Sequence, residues 1–142
     1  MIIISACLLG VPCRYDGAAR PLRSFPGELA GRALLPVCPE ELGGLPTPRP
    51  PAEITGGDGE SVLDGSARLV REDGTDVTGH FLRGAEATVS LARRAGAELA
   101  VLRAGSPSCG AGSTHVGGRR VPGLGVTAAA LRRAGLRLLE LE

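Results

Sequence analysis

The chain has 142 residues, enough for one domain that buries ~68–70% of its unfolded surface, so it needs neither disulfides nor a metal merely to fold. Hydrophobic residues make up 43% and charged residues 22%, and the net charge is +1, carried by scattered arginines with no lysine. That balance argues against a nucleic-acid-binding surface, and no apolar stretch approaches the ~20 residues that span a bilayer.

Residues 2–6 form an apolar run that reads as a strand ending at Cys7. Ile4 to Cys7 superficially resembles a lipoprotein cleavage site. The basic leader and full apolar segment of a secretory signal are missing, so a cytoplasmic protein is expected. After Cys13, the residues Arg14, Tyr15, Asp16 and Gly17 make a tight polar turn, in which Asp16 either orients a ligand or closes an Asx-turn. A short helix is expected around residues 27–32, weakened by Pro26 and two glycines, and a second strand over 34–37, ending at Cys38. From Gly43 to Gly59 the prolines 46, 48, 50 and 51 exclude a helix interior, and a long ordered loop is expected there as a wall of the site. Gly56 to Gly59 is not expected to open a helix after a strand, so it makes a poor phosphate loop.

Ser61–Leu63 and Ala67–Arg71 flank Asp64, Gly65 and Ser66, which predicts a β-hairpin. Phe81, Leu82, Ala85, Val89 and Ala92 recur at helical spacing, with Thr78 as the expected cap and Gly96 as the stop. The apolar segment Ala97–Leu102 follows. A second helix, from about Val126 to Gly135, buries Val126, Ala129, Ala130 and Ala134 and leads into Leu136–Leu141. Helix-then-strand twice, plus the two early strands, predicts an α/β fold. Its sheet is mostly parallel and Rossmann-like, flanked by helices with an appended hairpin, in one domain over 1–142.

Cys7, Cys38 and Cys109 each follow an apolar run. On parallel strands of one sheet their positions share the carboxyl edge, where ligands of open α/β sheets bind. Four cysteines without a secretory signal point to a reducing compartment and to metal or catalytic use. Five residues separate Cys7 from Cys13 and no C-x-x-C pair occurs, which excludes the usual zinc templates. Isolated thiols gathered by a fold suit an iron–sulfur cluster; a zinc site and inert buried cysteines are the alternatives, and Cys13 is the fourth candidate ligand. Glu40 and Glu41 adjoin Cys38, and Ser106 and Ser108 adjoin Cys109. A carboxylate there can act as general acid or base and a hydroxyl can relay a proton; both can also be purely structural. His80 and His115 read as structural.

These stretches resemble the thiouracil desulfurase family. The similar pieces run from Ser5 to Gly10, Cys13 to Gly17, Val37 to Glu40, Gly43 to Glu53, Asp76 to Thr78, Ser106 to Gly110 and Gly125 to Ala128, nearly the whole chain. The resemblance implies the short form of the family, with Cys7, Cys38 and Cys109 holding a [4Fe–4S] cluster whose fourth iron has no protein ligand. It implies a non-redox reaction in which the open iron binds the sulfur of a thiolated base such as 2-thiouracil, water attacks the ring carbon, and uracil and hydrosulfide result. Glu40 falls where the family activates water and Ser106 where it protonates or positions the ring, with Ser108 the second candidate for that serine and Asp16 a candidate substrate contact. Arg103 stands where relatives tend to carry lysine, and residues 113–122 follow the family poorly and are expected to line the pocket. The other readings are sulfur transfer on thiolated nucleotides of RNA and a non-catalytic iron–sulfur or zinc protein.

Overall fold

The computed structural model describes residues 1–142. In chain order the elements are β1 (Ile2–Ser5), β2 (Leu34–Val37), α1 (Pro39–Leu42), β3 (Ala52–Thr55), α2 (Gly59–Leu63), β4 (Arg68–Arg71), α3 (Thr78–Ala95), β5 (Leu99–Arg103), β6 (Ser113–Val116), β7 (Arg119–Pro122), α4 (Val126–Arg133) and β8 (Arg137–Leu141). Two 3₁₀ turns, Ala6–Leu9 and Gly27–Leu29, lie between β1 and β2.

One parallel sheet carries four strands in the order β2-β1-β5-β8, with Ile2 opposite both Leu34 and Leu99, and Leu99 opposite Arg137. Strand alternation divides its side chains between two faces. Ile3, Ala100 and Leu102 meet Ala92 of α3 and Ala128, Ala129 and Leu131 of α4. Ile2, Ile4, Leu99 and Val101 meet Leu8 and Leu29 of the 3₁₀ turns on the other face. Both faces being covered, β1 and β5 are continuous apolar runs, and none of Ile2, Ile3, Ile4 or Leu99–Leu102 is exposed. The chain steps from β1 to β2 on one side and then places β5 on the other side of β1. That reversal puts the topological switch point at the carboxyl ends of β1 and β5. No helix is long and apolar enough to cross a membrane.

The α/β architecture is the one expected; several local elements differ. Ser61–Leu63 is helical, because Asp58 accepts from the N–H of Glu60 and Ser61 while Ser61 Oγ accepts from Asp58 N–H, a reciprocal cap that starts α2. The partner of β4 is β3, inside the proline-rich stretch expected to be a loop, and the two pair antiparallel. Gly56–Asp58 therefore does connect a strand to a helix, but the Asp58 carboxylate already occupies that helix start. Thr78 is the first residue of α3 and not its cap; its Oγ1 accepts from Leu69 N–H at 2.9 Å, and Asp76 Oδ1 accepts from Thr78 N–H at 2.9 Å. The helix expected over 27–32 is only a 3₁₀ turn. A second antiparallel pair, β6–β7, forms in the stretch 113–122, where the sequence pattern predicts no strands.

Helix α1 rests directly on α3. A Cβ on Gly43 would stand 1.9 Å from the His80 carbonyl oxygen, and one on Gly84 would stand 1.9 Å from that of Pro39. Only glycine permits this approach, which sets the height of α1, and so of Glu40, at the sheet edge.

Candidate active site

The ends of β1, β2 and β5 deliver Cys7, Cys38 and Cys109 to one cleft of about 450 Å³, where Cys13 joins them. All four thiols are free. Cys38 Sγ donates to the Cys13 carbonyl oxygen at 3.5 Å. A hydrogen bond from Cys13 holds the Cys7 thiol below its usual range, against burial and the charges of Cys109 and Cys38. Cys38 is pushed far up, first by its hydrogen bond with Cys13 and then by burial. Burial pushes Cys109 up to about 12. For Cys13, the Cys38 hydrogen bond pulls down, but the Cys7 hydrogen bond and burial lift the thiol to about 11. Thiolates gathered this closely repel one another, a penalty that a cationic metal centre removes.

Glu40 lies in the first turn of α1, behind Pro39 at the opening position, and faces the cleft. Its Oε1 accepts from Arg49 Nε at 3.0 Å. Arg49 comes from the proline-rich stretch, and its side chain is 2% exposed. Burial works against the Arg49 charge, while the attraction and hydrogen bond of Glu40 more than restore it.

Beyond β5, Ser106 Oγ accepts from the N–H of Ser108 at 3.1 Å and of Cys109 at 2.9 Å, closing the turn that aims Cys109. Both acceptor positions are thus used, and the Ser106 hydroxyl proton is left for the cleft it lines. Helix α4 has no side-chain cap. Its first N–H groups donate instead to the same turn: Val126 to Pro107 O at 2.9 Å, Thr127 and Ala128 to Ser108 O at 2.9 and 3.1 Å. A Cβ on Gly125 would come within 2.4 Å of Ser108 O, so glycine is required there. The Ser106–Gly110 and Gly125–Ala128 motifs are thus two halves of one contact. Ser108 lies beneath the wall, with its Oγ 2.9 Å from Thr127 Oγ1, and supports the Cys109 thiol. Asp16 is exposed outside the cleft. Its Oδ1 accepts from Ala18 N–H at 3.0 Å and its Oδ2 stands 3.8 Å from Arg14 Nη1, ordering the turn that brings Arg14 and Tyr15 to the wall.

The outer wall is the β6–β7 pair, which contributes His115, Gly118 and Arg120. Glu53 of β3 accepts from Gly117 N–H at 2.6 Å and Gly118 N–H at 3.0 Å; Glu140 of β8 accepts from Gly112 N–H at 2.7 Å and Ser113 N–H at 3.1 Å. His115 Nδ1 donates to Gly105 O at 2.6 Å. Arg14, Arg20 and Arg103 line the inner side, where burial and then the neighbouring Arg14 charge lower the Arg103 pKa. Hydrogen bonds to a charged group contribute ~1.5–3 kcal/mol each. Glu53→Gln is therefore expected to speed hydrogen exchange at the Gly117 and Gly118 amides; unchanged exchange at both would show that Glu53 does not anchor the hairpin.

A family model described as 2-thiouracil desulfurase matches residues 2–142. The chain belongs to the 2-thiouracil desulfurase family. The uncharacterized protein YbbK of Bacillus subtilis (strain 168) is 43% identical over 145 residues, covering 98% of this chain and 94% of that protein. The structure of the [4Fe-4S]-dependent thiouracil desulfidase TudS superposes with a TM-score of 0.82 at 43% identity, across 98% of this chain and 89% of that one.

In this desulfurase-family chain the donor set fits an iron–sulfur cluster. The thiols are free and border one cleft, and soft thiolate donors are what such a cluster takes. The sequence singles out neither Arg49 nor Glu53, whereas Arg120 falls in the stretch 113–122 expected to line the pocket. Arg49 and Glu53 lie in the proline-rich stretch, where nothing local marks their partners, which are distant in sequence or on α1.

Proposed function

We propose that this protein removes sulfur from a thiolated pyrimidine such as 2-thiouracil without net redox change, releasing uracil and hydrosulfide. The observation that carries the reading is the convergence of free thiols with Glu40 and Ser106 on one cleft at the switch point of the sheet. Cys7, Cys38 and Cys109 would hold a [4Fe–4S] cluster and leave one iron without a protein ligand. When bound, the cluster supplies a Lewis acid with affinity for soft sulfur. Glu40 takes the proton of the water that adds to the ring carbon. The Ser106 hydroxyl, its acceptor positions filled by backbone amides, donates to a heteroatom of the ring and orients it. Arg14, Arg20, Arg103 and Arg120 make the wall electropositive, which favours the anionic sulfide product over retention of a proton on it. Cys13 is a buried neighbour of the ligands and not one of them.

Protein reconstituted anaerobically with iron and sulfide is expected to consume 2-thiouracil, read as loss of thione absorbance, while uracil and sulfide rise in equal amounts. A fully loaded protein that leaves 2-thiouracil and related thiolated bases intact would reduce the reading to a cluster carrier.

A further inference from the structure

Arg49 takes no part in the chemistry above, yet every N–H of its guanidinium is directed at an acceptor. Nε donates to Glu40 Oε1 at 3.0 Å. Nη1 donates to Thr47 Oγ1 at 2.9 Å and Pro46 O at 3.2 Å. Nη2 donates to Cys13 O at 2.9 Å and reaches Cys38 Sγ at 3.9 Å. A guanidinium has five N–H donors in a fixed plane, and here five atoms receive them. The residue is 6% exposed. Thr47 Oγ1 in turn donates a hydrogen bond to Glu41 Oε2, so the loop closes on α1 at two successive carboxylates.

We infer that Arg49 is a positioning residue that locks Glu40 and Cys38 into one rigid unit, fixing the proton acceptor relative to a cluster ligand. The inference rests on the roles proposed above for those two residues. Its physical basis is the fork geometry: one planar cation meets the carboxylate along one direction and the thiolate side along another, so neither can shift without breaking the other contact. Lysine, a single point charge with three donors, cannot reproduce it. A charged N–H directed at a cysteine sulfur also stabilises added electron density, so Arg49 raises the reduction potential of a cluster held by Cys38.

The test uses the full chain with its reconstituted cluster, iron and sulfide being quantified in each variant and rates expressed per cluster. Arg49→Met is expected to lower kcat by ~10–100-fold with little change in KM, and to move the reduction potential to a more negative value. Arg49→Lys is expected to restore part of the potential but not kcat. In a Glu40→Gln background, Arg49→Met is expected to cost little further rate, because the two act as one unit. Wild-type kcat per cluster together with an unmoved potential in Arg49→Met would overturn the assignment and leave Arg49 a packing residue. A wild-type rate in Glu40→Gln would overturn the role of Glu40 itself, whatever Arg49→Met does. If Arg49→Met does not fold, Thr47→Val, which removes one acceptor of the same fork, decides the matter: a smaller loss of kcat in the same direction supports the assignment, and no loss refutes it.

Discussion

Cys38→Ala is expected to leave the reconstituted protein almost free of iron and without turnover of 2-thiouracil, and Cys7→Ala and Cys109→Ala to behave alike, whereas Cys13→Ala retains both. Cys7 and Cys38 directly follow or adjoin the ends of β1 and β2, and Cys109 sits on the turn that Ser106 and α4 pin in place. Their backbone positions are therefore set by the sheet, and losing one thiolate leaves the remaining two unable to hold the cluster. Cys13 instead lies in the segment between the 3₁₀ turns; its thiol hydrogen-bonds with Cys7 and Cys38, and its carbonyl accepts from both Arg49 and Cys38. Alanine keeps that carbonyl. Removing a buried sulfur of this kind costs about 1 kcal/mol, as for other small core truncations. Iron and acid-labile sulfide analysis of the four variants, alongside the absorbance assay, measures the outcome. An iron-loaded Cys38→Ala with an iron-free Cys13→Ala would exchange the roles of the two residues.

Glu40→Gln is expected to lose ~10²–10⁴ in turnover while keeping a wild-type content of iron, because it removes the proton acceptor and leaves the ligands untouched. Glutamine still presents an oxygen to Arg49 Nε, so the fold around α1 is retained. Glu40→Ala is a different experiment. The Arg49 and Glu40 side chains are 2% and 17% exposed, and truncating the carboxylate strands a buried guanidinium without its counter-charge. Breaking a buried pair in this way costs about 3–5 kcal/mol. The alanine variant is therefore expected to show both the loss of turnover and a lowered Tm, the glutamine variant the loss of turnover alone. Steady-state assays and thermal unfolding of the two side by side separate chemistry from folding. A glutamine variant that turns over at the wild-type rate would remove Glu40 from the mechanism.

Much of the scaffold is readable from residue patterns because its causes are local. A parallel strand covered on both faces is a continuous apolar run, so Ile2–Ser5 and Leu99–Arg103 stand out, and the half-covered edge strand Leu34–Val37 shows as a short apolar run of its own. The helices end where Gly96 and Gly135 take left-handed conformations. The failures are equally physical. Ser61–Leu63 is too short for periodicity to separate helix from strand, and the deciding cap comes from Asp58, outside the segment. The strand β3 hides among prolines because its pairing partner, β4, lies beyond an intervening helix. The pair β6–β7 is held by Glu53 and Glu140, residues distant in sequence from the glycines whose amides they bind.

Residue order alone was sufficient to name the thiols, the carboxylate beside Cys38, the serines beside Cys109 and the family, since strand ends and compact motifs keep chemistry-bearing side chains next to their signals. Which of those side chains meet was decided through space. Ser106 reaches the cleft while Ser108, two residues on, turns under it toward Thr127, because the amides of α4 claim the Ser108 carbonyl. Asp16 turns outward to its own Asx-turn, and Arg49 arrives beside Glu40 and Cys38 from a loop whose course no local pattern predicts. In such loops side-chain direction follows from contacts with segments far along the chain, and those exist only once the sheet has brought its carboxyl ends together.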